Sequence, residues 1–389
     1  MQLLKLTMAK IKGCRAAAFL LLGGLTLCQS LLAAVLPEDR ADALYHSYDG
    51  GGVQVTGPSI LVRKSIGKSV SVSGNYYVDA ITSASIDVVT TASPYEEQRT
   101  ETAVGVDYLH ADTTMGISIS QSIEKDYKAK TAAFNLSQEL FGNMMTVSMG
   151  YAQGNDIVGK TGDLLFEEKV KRQQYRLGLS QILTKNMLLG LGFETVSDEG
   201  FLNNPYRTVR YADSGSGKGY SYEPEKYPGT RTSNAAAIRL LYHLPIRASI
   251  HGEYRLFEDS WGIVANHIQI GYTHAYKNSF IFDIKYRAYA QTKADFYSDL
   301  FPYSQSQNFY GRDKEISTFN SQTVGIGISY EFAHNWHMLE RASLNFKYDY
   351  IFFDYQDFRD LRDSTAPAGS EPMYNFSANV LQLYFSLWY

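Results

Sequence analysis

The sequence predicts an all-β chain, a transmembrane, antiparallel, up-and-down β-barrel of about sixteen strands. Apolar and polar residues alternate with period two nearly throughout, and the helical period is sustained nowhere. Connections alternate between short turns and long polar loops, the pattern of barrels that cross an outer membrane. Tyrosine, at 30 of 389 residues, is abundant, as expected where a side chain sits with its apolar body in lipid and its polar tip in water. With 20% charged and 14% aromatic residues, the composition excludes a disordered chain. Beyond the first 36 positions no apolar run reaches the roughly 18 residues a helical span needs.

Residues 1–34 read as a cleaved signal peptide, which leaves 35–389 as a single outer-membrane barrel domain. Lys5, Lys10, Lys12 and Arg15 form a basic start, Ala16 to Leu27 an apolar stretch, and Ser30 to Ala34 a small-residue cleavage region. Leu27 before Cys28 does not suit lipidation. Removing this segment takes away four basic and no acidic residues, so the remaining chain carries a formal charge of −8. Cys14 and Cys28 leave with it, so neither disulfides nor thiolate metal sites are expected. An acidic chain without a basic patch also excludes a nucleic-acid partner.

The strands follow in order, each with one apolar face. Val70, Val72, Gly74, Tyr76 and Val78 oppose Ser71, Ser73, Asn75 and Asp79; Met145, Val147, Met149 and Tyr151 oppose Thr146, Ser148 and Gly150. Met187, Leu189, Leu191 and Phe193 face away from Gly190, Gly192 and Glu194. Phe280, Phe282, Ile284 and Tyr286 alternate with Asp283, Lys285 and Arg287, and Val324 to Phe332 continues the pattern. In the last two strands Ala342, Leu344, Phe346, Tyr348, Tyr350 and Phe352, then Leu381, Leu383, Phe385, Leu387 and Tyr389, form the apolar faces. A soluble barrel would turn that stripe inward; a lipid-facing one turns it outward.

Short turns are expected near 65–68, 111–113, 141–143, 184–186, 244–247, 276–278 and 333–337, and long loops near 80–98, 154–165, 200–230, 293–315 and 356–372. The short side is periplasmic. Fifteen strands can be counted from Val53 onward, and even-numbered closure adds Asp42 to Asp49 as a sixteenth. Fourteen stays open, because Val53 to Lys64 and Ala235 to Tyr242 alternate less cleanly; Pro58 suits a bulge or an edge. The alternating, aromatic-ended stretch Leu383, Phe385, Leu387 and Tyr389 resembles the sorting signal read by the outer-membrane assembly machinery.

Tyr45 to Asp49, Asp79-Ala80-Ile81-Thr82-Ser83-Ala84-Ser85, Ser93-Pro94-Tyr95-Glu96-Glu97-Gln98-Arg99 and Ser122-Ile123-Glu124-Lys125-Asp126-Tyr127 resemble landmarks of a bacterial outer-membrane barrel family known only as a domain of unknown function. Ser83 to Asp87 departs from that family's pattern. The resemblance would cover nearly the whole exported chain. Members are often encoded near small lipoproteins, thioredoxin-like proteins and flavin transferases, which implies a periplasmic protein partner concerned with redox or cofactor traffic.

The alternation also assigns charges to the lumen. Arg172, Arg176, Arg239, Arg255, Lys285, Arg287, Arg341 and Lys347 are expected to point inward, with Asp79, Asp107, Glu139, Glu194, Glu253, Asp283, Glu331 and Asp349. Eight of each sign fit either a channel that orients polar solutes or a salt-bridged interior without conduction. Sixteen strands enclose more space than side chains fill, so an open pore or a plug is expected, with Gly200 to Thr230 the plug candidate.

Catalytic and metal signals are weak. His46 and Ser47 superficially resemble the region of an outer-membrane phospholipase, with Asp49 nearby, but neighbours on a strand point to opposite faces. His334 and His337 flank a turn carrying Trp336 and lack further ligands. Asp354, Asp357, Asp360 and Asp363 do not have calcium-loop spacing, and Gly50-Gly51-Gly52 precedes no helix that would cradle phosphate. No catalytic residue, cofactor or metal is therefore expected. The chain reads as a non-enzymatic barrel in outer-membrane lipid, acting as a pore or transport channel or as a scaffold for the periplasmic partner. An outer-membrane hydrolase, or a surface receptor or adhesin working through its long loops, is the alternative, and the oligomeric state stays open.

Overall fold

The computed structural model describes residues 35–83, 95–332, 336, 339–362 and 365–389. Among the described residues there are eighteen strands: β1 (Arg40–Gly50), β2 (Val53–Ile66), β3 (Val70–Ser83), β4 (Tyr95–His110), β5 (Thr113–Ile123), β6 (Tyr127–Leu140), β7 (Met145–Lys160), β8 (Asp163–Thr184), β9 (Met187–Gly200), β10 (Thr208–Ala212), β11 (Tyr220–Pro224), β12 (Thr230–Leu244), β13 (Ala248–Asp259), β14 (Val264–Tyr276), β15 (Phe280–Gln291), β16 (Phe319–Phe332), β17 (Arg341–Arg359) and β18 (Met373–Trp388). All but β10 and β11 form one closed barrel, each strand antiparallel to its neighbours in sequence. β1 closes the ring on β18, with Arg40 opposite Trp388 and Gly50 opposite Ala378. Sixteen is thus the strand count, and β1 occupies the place expected for Asp42 to Asp49. The segment assigned to a signal peptide lies outside the described residues, as do His334, His337 and Asp363.

Closure leaves no unpaired edge, which a backbone in lipid cannot tolerate. Among the described residues no helix is long and apolar enough to cross a membrane; the strands cross instead. At one end the connections are tight, and several turn through left-handed, non-glycine residues: Ala111 (φ 50°), Arg247 (φ 59°) and Lys277 (φ 53°). At Pro58, which has no N–H to donate, the β2–β3 ladder skips residues 57 and 58 before resuming at Ser59 opposite Tyr77.

The outer surface explains the alternation. Ile117, Ile119, Val104, Ile284 and Ile270 are more than half exposed on the outside of the wall, a belt suited to lipid. Outward aromatics form two bands, the girdles that mark membrane interfaces. One lies beside the tight turns, with Tyr108, Tyr242, Tyr276 and Tyr330; the other lies midway along the strands, with Tyr45, Tyr76, Tyr175, Tyr254, Tyr286 and Tyr350. This is an outer-membrane barrel, with its tight turns periplasmic.

Beyond the upper band the wall continues, but its outside becomes polar: Gln153 and Asn155 on β7, Lys171 and Gln173 on β8, and Asp354 and Gln356 on β17 are exposed. This corrects the expected long loop at 154–165. β7 runs to Lys160 and β8 starts at Asp163, so only Thr161 and Gly162 connect them. A strand that has left the lipid needs no apolar outer face, so it resembles a loop in composition while keeping its alternation.

Candidate functional site: the lumen and its outer plug

Above the upper aromatic band the inward faces turn apolar. Tyr48, Val53, Val55, Val158, Val170, Ile351, Phe353, Tyr355, Ala378 and Val380 are buried there and form one cluster with Leu202, Tyr227, Trp261, Phe296, Tyr297 and Ile316 from the outer connections. Tyr227, Trp261 and Phe296 pack mutually, with ring centroids 5.1 to 5.4 Å apart. Each comes from a different connection: 201–229, 260–263 and 292–318. The expected plug at 200–230 therefore exists, but it is one part of a plug that several connections build together.

Backbone pairing fixes the parts to each other. The hairpin β10–β11 rises within 201–229, and the amide N–H groups of Ala212 and Phe301 donate to the carbonyls of Phe301 and Arg210. Lys226 and Tyr310 exchange a pair of backbone hydrogen bonds of 2.9 and 2.8 Å. Arg210, fully buried, is the central polar tie: its guanidinium pairs with Asp299 of 292–318 and with Glu371 of 360–372. Arg312 also pairs with Asp299 at 2.9 Å, Arg359 Nη1 donates to the Glu371 carbonyl at 2.6 Å, and Arg207 pairs with Asp313 at 2.7 Å. A buried arginine flanked by two carboxylates is tolerable because its charge and donors are matched. None of Arg210, Asp299, Glu371 or Arg312 stands out in the sequence, because loops carry no periodicity.

Glu225, at the end of β11, is the strained member of this plug. Its Oε1 accepts the Arg312 backbone N–H at 2.8 Å, while Oε2 is buried without a partner. Burial pushes its carboxyl up to about 8, with the Arg207 guanidinium opposing the rise and Asp313 adding to it.

Below the plug the inward face is polar. On β8 to β17 most charges pair: Arg172 with Asp198 at 2.6 Å, Arg239 and His267 with Glu253, Arg255 with Glu194 at 3.0 Å, and Lys285 with Asp349 at 2.9 Å. Asp283 accepts from Thr273 Oγ1 at 2.6 Å. Small residues make the longer crossings possible. Lys285 and Asp349 meet over Gly325 of the intervening strand, and Arg255 reaches Glu194 over the β12 wall at Ala237. Arg176, Arg287 and Lys347 make no ion pair among the described residues, and Nε of both arginines is buried without a partner. Arg341 pairs with Glu38 at the periplasmic rim, and Glu139 and Glu331 lie near the same end. Serine and histidine on this lower inner face, at Ser148 and His243, are exposed, so the lumen holds solvent there.

On β1 to β4 the polar contacts run through the motifs singled out above. His46 Nε2 lies 2.7 Å from Asp79 Oδ1, Arg99 reaches the other Asp79 oxygen at 3.1 Å, and Tyr77 stacks on His46 at 5.0 Å. Asp107 is held by Arg63. His46 therefore partners Asp79, whereas Ser47 and Asp49 lie on the opposite face of β1, Asp49 exposed. Of the spaced aspartates, Asp357 near the end of β17 accepts the Thr318 N–H, and Asp360 just beyond the strand pairs with Arg362. The carboxylates that do converge are Glu97, Glu124 and Asp126, with ligand atoms within 4.8 Å of one another. Leu383 is exposed on the outer face of β18, and Tyr389 donates its hydroxyl to the carbonyl of Arg63 on β2 at 3.1 Å.

No curated protein matches the sequence. The model of a family described as a protein of unknown function, DUF3570, matches residues 163–348, which lie after the four motifs that carried the resemblance. Among solved structures, the outer-membrane-expressed OmpT of Vibrio cholerae is 12% identical, with 92% of this chain and 100% of that chain covered and a TM-score of 0.44. The CymD monoaromatic hydrocarbon channel is 8% identical, covering 91% and 89% at a TM-score of 0.42. A Pseudomonas aeruginosa FadL homologue is 8% identical, covering 90% of each chain at 0.42.

Proposed function

We propose, for a chain whose residues 163–348 match the model of the DUF3570 family of unknown function, that it is a gated outer-membrane channel held in its closed state. The observation that carries this reading is the plug. Sixteen strands enclose a lumen too wide for wall side chains to fill, and the filling among the described residues comes from connections packed against inward side chains at the outer ends of the strands. The lower lumen keeps charged and hydroxyl side chains in contact with solvent, as a solute path requires. A purely structural barrel has no need of that division.

Planar-bilayer recording tests the reading. The full chain should give rare or no conductance steps, and replacing 203–227 by a short turn should give frequent, larger ones. The two ends of this loop already meet, with the Gly200 N–H donating to the Gly229 carbonyl at 2.8 Å, so the wall survives the change. Arg210→Ala should act in the same direction, because removing one partner of a buried ion pair costs about 3–5 kcal/mol. Silence from folded, inserted protein in both variants would reject the channel and favour a membrane scaffold for a periplasmic partner.

A further inference from the structure

We infer that the outside of β6 to β8, directly above the upper aromatic band, binds the phosphorylated sugar headgroup of an outer-leaflet glycolipid, with Lys128, Lys130, Lys169 and Lys171 as its cations. The site goes beyond the channel reading and stands on the outer-membrane barrel alone, so it holds whether or not the barrel conducts.

Register brings the four lysines onto one patch. Asn155 of β7 lies opposite Lys130 of β6 on one side and Lys171 of β8 on the other, and Ile157 lies in the same way between Lys128 and Lys169. All four lysines are exposed on the outer face. Strand geometry makes each row about 10 Å wide and sets the two rows about 7 Å apart, so the long, flexible side chains can converge on one headgroup. Among the described residues none of the four forms an ion pair. Glu199, opposite Lys171 on β9, and Glu167, beyond Lys169 toward the hairpin tip, bound the patch. On other strands the exposed outward residues Asp49 of β1, Glu96 of β4, Glu258 of β13 and Asp354 of β17 are acidic. Four like charges gathered on one panel repel in water and are stabilised beside an anionic surface.

Height and neighbours identify the ligand. The tight turns are periplasmic, so this end of the wall meets the outer leaflet. Tyr151 and Tyr175 mark the interface here, with ring centroids 5.1 Å apart, and their hydroxyls donate to Gln153 and Gln173 at 3.4 and 3.3 Å. Phe134 beside them, and Met149 and Leu177 below, are exposed to lipid. Moving outward, the surface therefore suits acyl chains, then hydroxyl groups, then phosphate. Amides both donate and accept, as sugar hydroxyls require; a glycerophospholipid would leave Gln153, Gln173 and Asn155 little to bind.

Native mass spectrometry of the purified protein in detergent micelles, titrated with bisphosphorylated lipid A, tests the site. Lipid A stripped of its phosphates and dioleoylphosphatidylglycerol are the comparison probes. Saturable retention of bisphosphorylated lipid A is expected, with both other lipids held more weakly. A cation beside an anionic headgroup is worth roughly fivefold, so the variant with all four lysines changed to glutamine should bind at least about a hundredfold more weakly. Lys277→Gln, in a periplasmic turn, should match the unaltered chain. Heat-dependent gel mobility checks that each variant is folded. Equal binding by the four-lysine variant, or no saturable binding, would overturn the site. Equal binding of dephosphorylated lipid A by the unaltered chain would do the same without any variant, and phosphatidylglycerol held as tightly as lipid A would reject recognition of a glycolipid. Conductance recorded from the four-lysine variant keeps this test separate from the channel, because the lumen is untouched.

Discussion

Gly325 shows how one missing atom organises the lumen. A Cβ there would stand 2.1 Å from Asp349 Oδ1 and 2.5 Å from Lys285 Cε, so the ion pair that crosses β16 exists only because this residue is glycine. Gly325→Ala should therefore cost about 1–3 kcal/mol, the penalty of leaving partly buried polar groups mismatched. Urea unfolding in lipid measures it, with Gly74→Ala as the control, since a Cβ at Gly74 meets nothing within 4 Å. An equal midpoint for the two variants would refute the crossing. Alternation in the sequence tells which side of the wall a residue occupies, and so makes Lys285 and Asp349 inward candidates. It cannot tell which strand supplies the partner. His46 illustrates the limit: its partner Asp79 is 33 positions away, on a strand that does not touch β1. Arg210, with partners 89 and 161 positions away, offered no signal at all.

Among the elements, β17 carries the imprint of the plug in its own sequence. Its inner face runs Ser343, Asn345, Lys347, Asp349 and then Ile351, Phe353, Tyr355, and a polar face that becomes apolar near the outer end is the mark of something packed against it. The extracellular hairpin of β7 and β8 was legible as period two once polarity was set aside, whereas the partners of 201–229 were not legible, being fixed by contacts with other connections. The plug has a pH dependence with a definite sign. Glu225 has an ordinary carboxyl value of 4.5 when exposed and about 8 when docked, so the docked plug holds the extra proton between those limits. Docking is strongest below about pH 4.5 and weakens as pH rises through 8. Limited proteolysis within 201–229 should accelerate from about pH 5 to about pH 9, and Glu225→Gln should flatten the profile. A flat profile in the unaltered chain would contradict the assignment.

At the scale of the whole molecule, strand number and closure followed from the turn spacing and from period two, because a barrel repeats one simple rule sixteen times. A closed ladder of this length resists detergent until heated, so the protein should sediment with outer membranes and migrate faster on gels before boiling than after. Recovery as a soluble periplasmic protein would remove the membrane assignment and everything built on it.

The two aromatic bands divide the wall into halves of opposite construction. Within the bilayer the chain is inside out, with Leu177 facing outward and Arg176 inward; a few residues along the same strand, Gln173 faces outward and Val170 inward. Somewhere between them the rule for which face rewards an oily side chain reverses. Evolution along β8 is thus constrained by latitude: a leucine that is welcome on the outside at one height becomes sticky surface a turn of the pleat higher. A drift of the barrel by a few ångströms along the membrane normal would put every strand out of step at once. The polar collar above the lipid therefore works as a depth gauge, fixing how far the protein sits in its membrane.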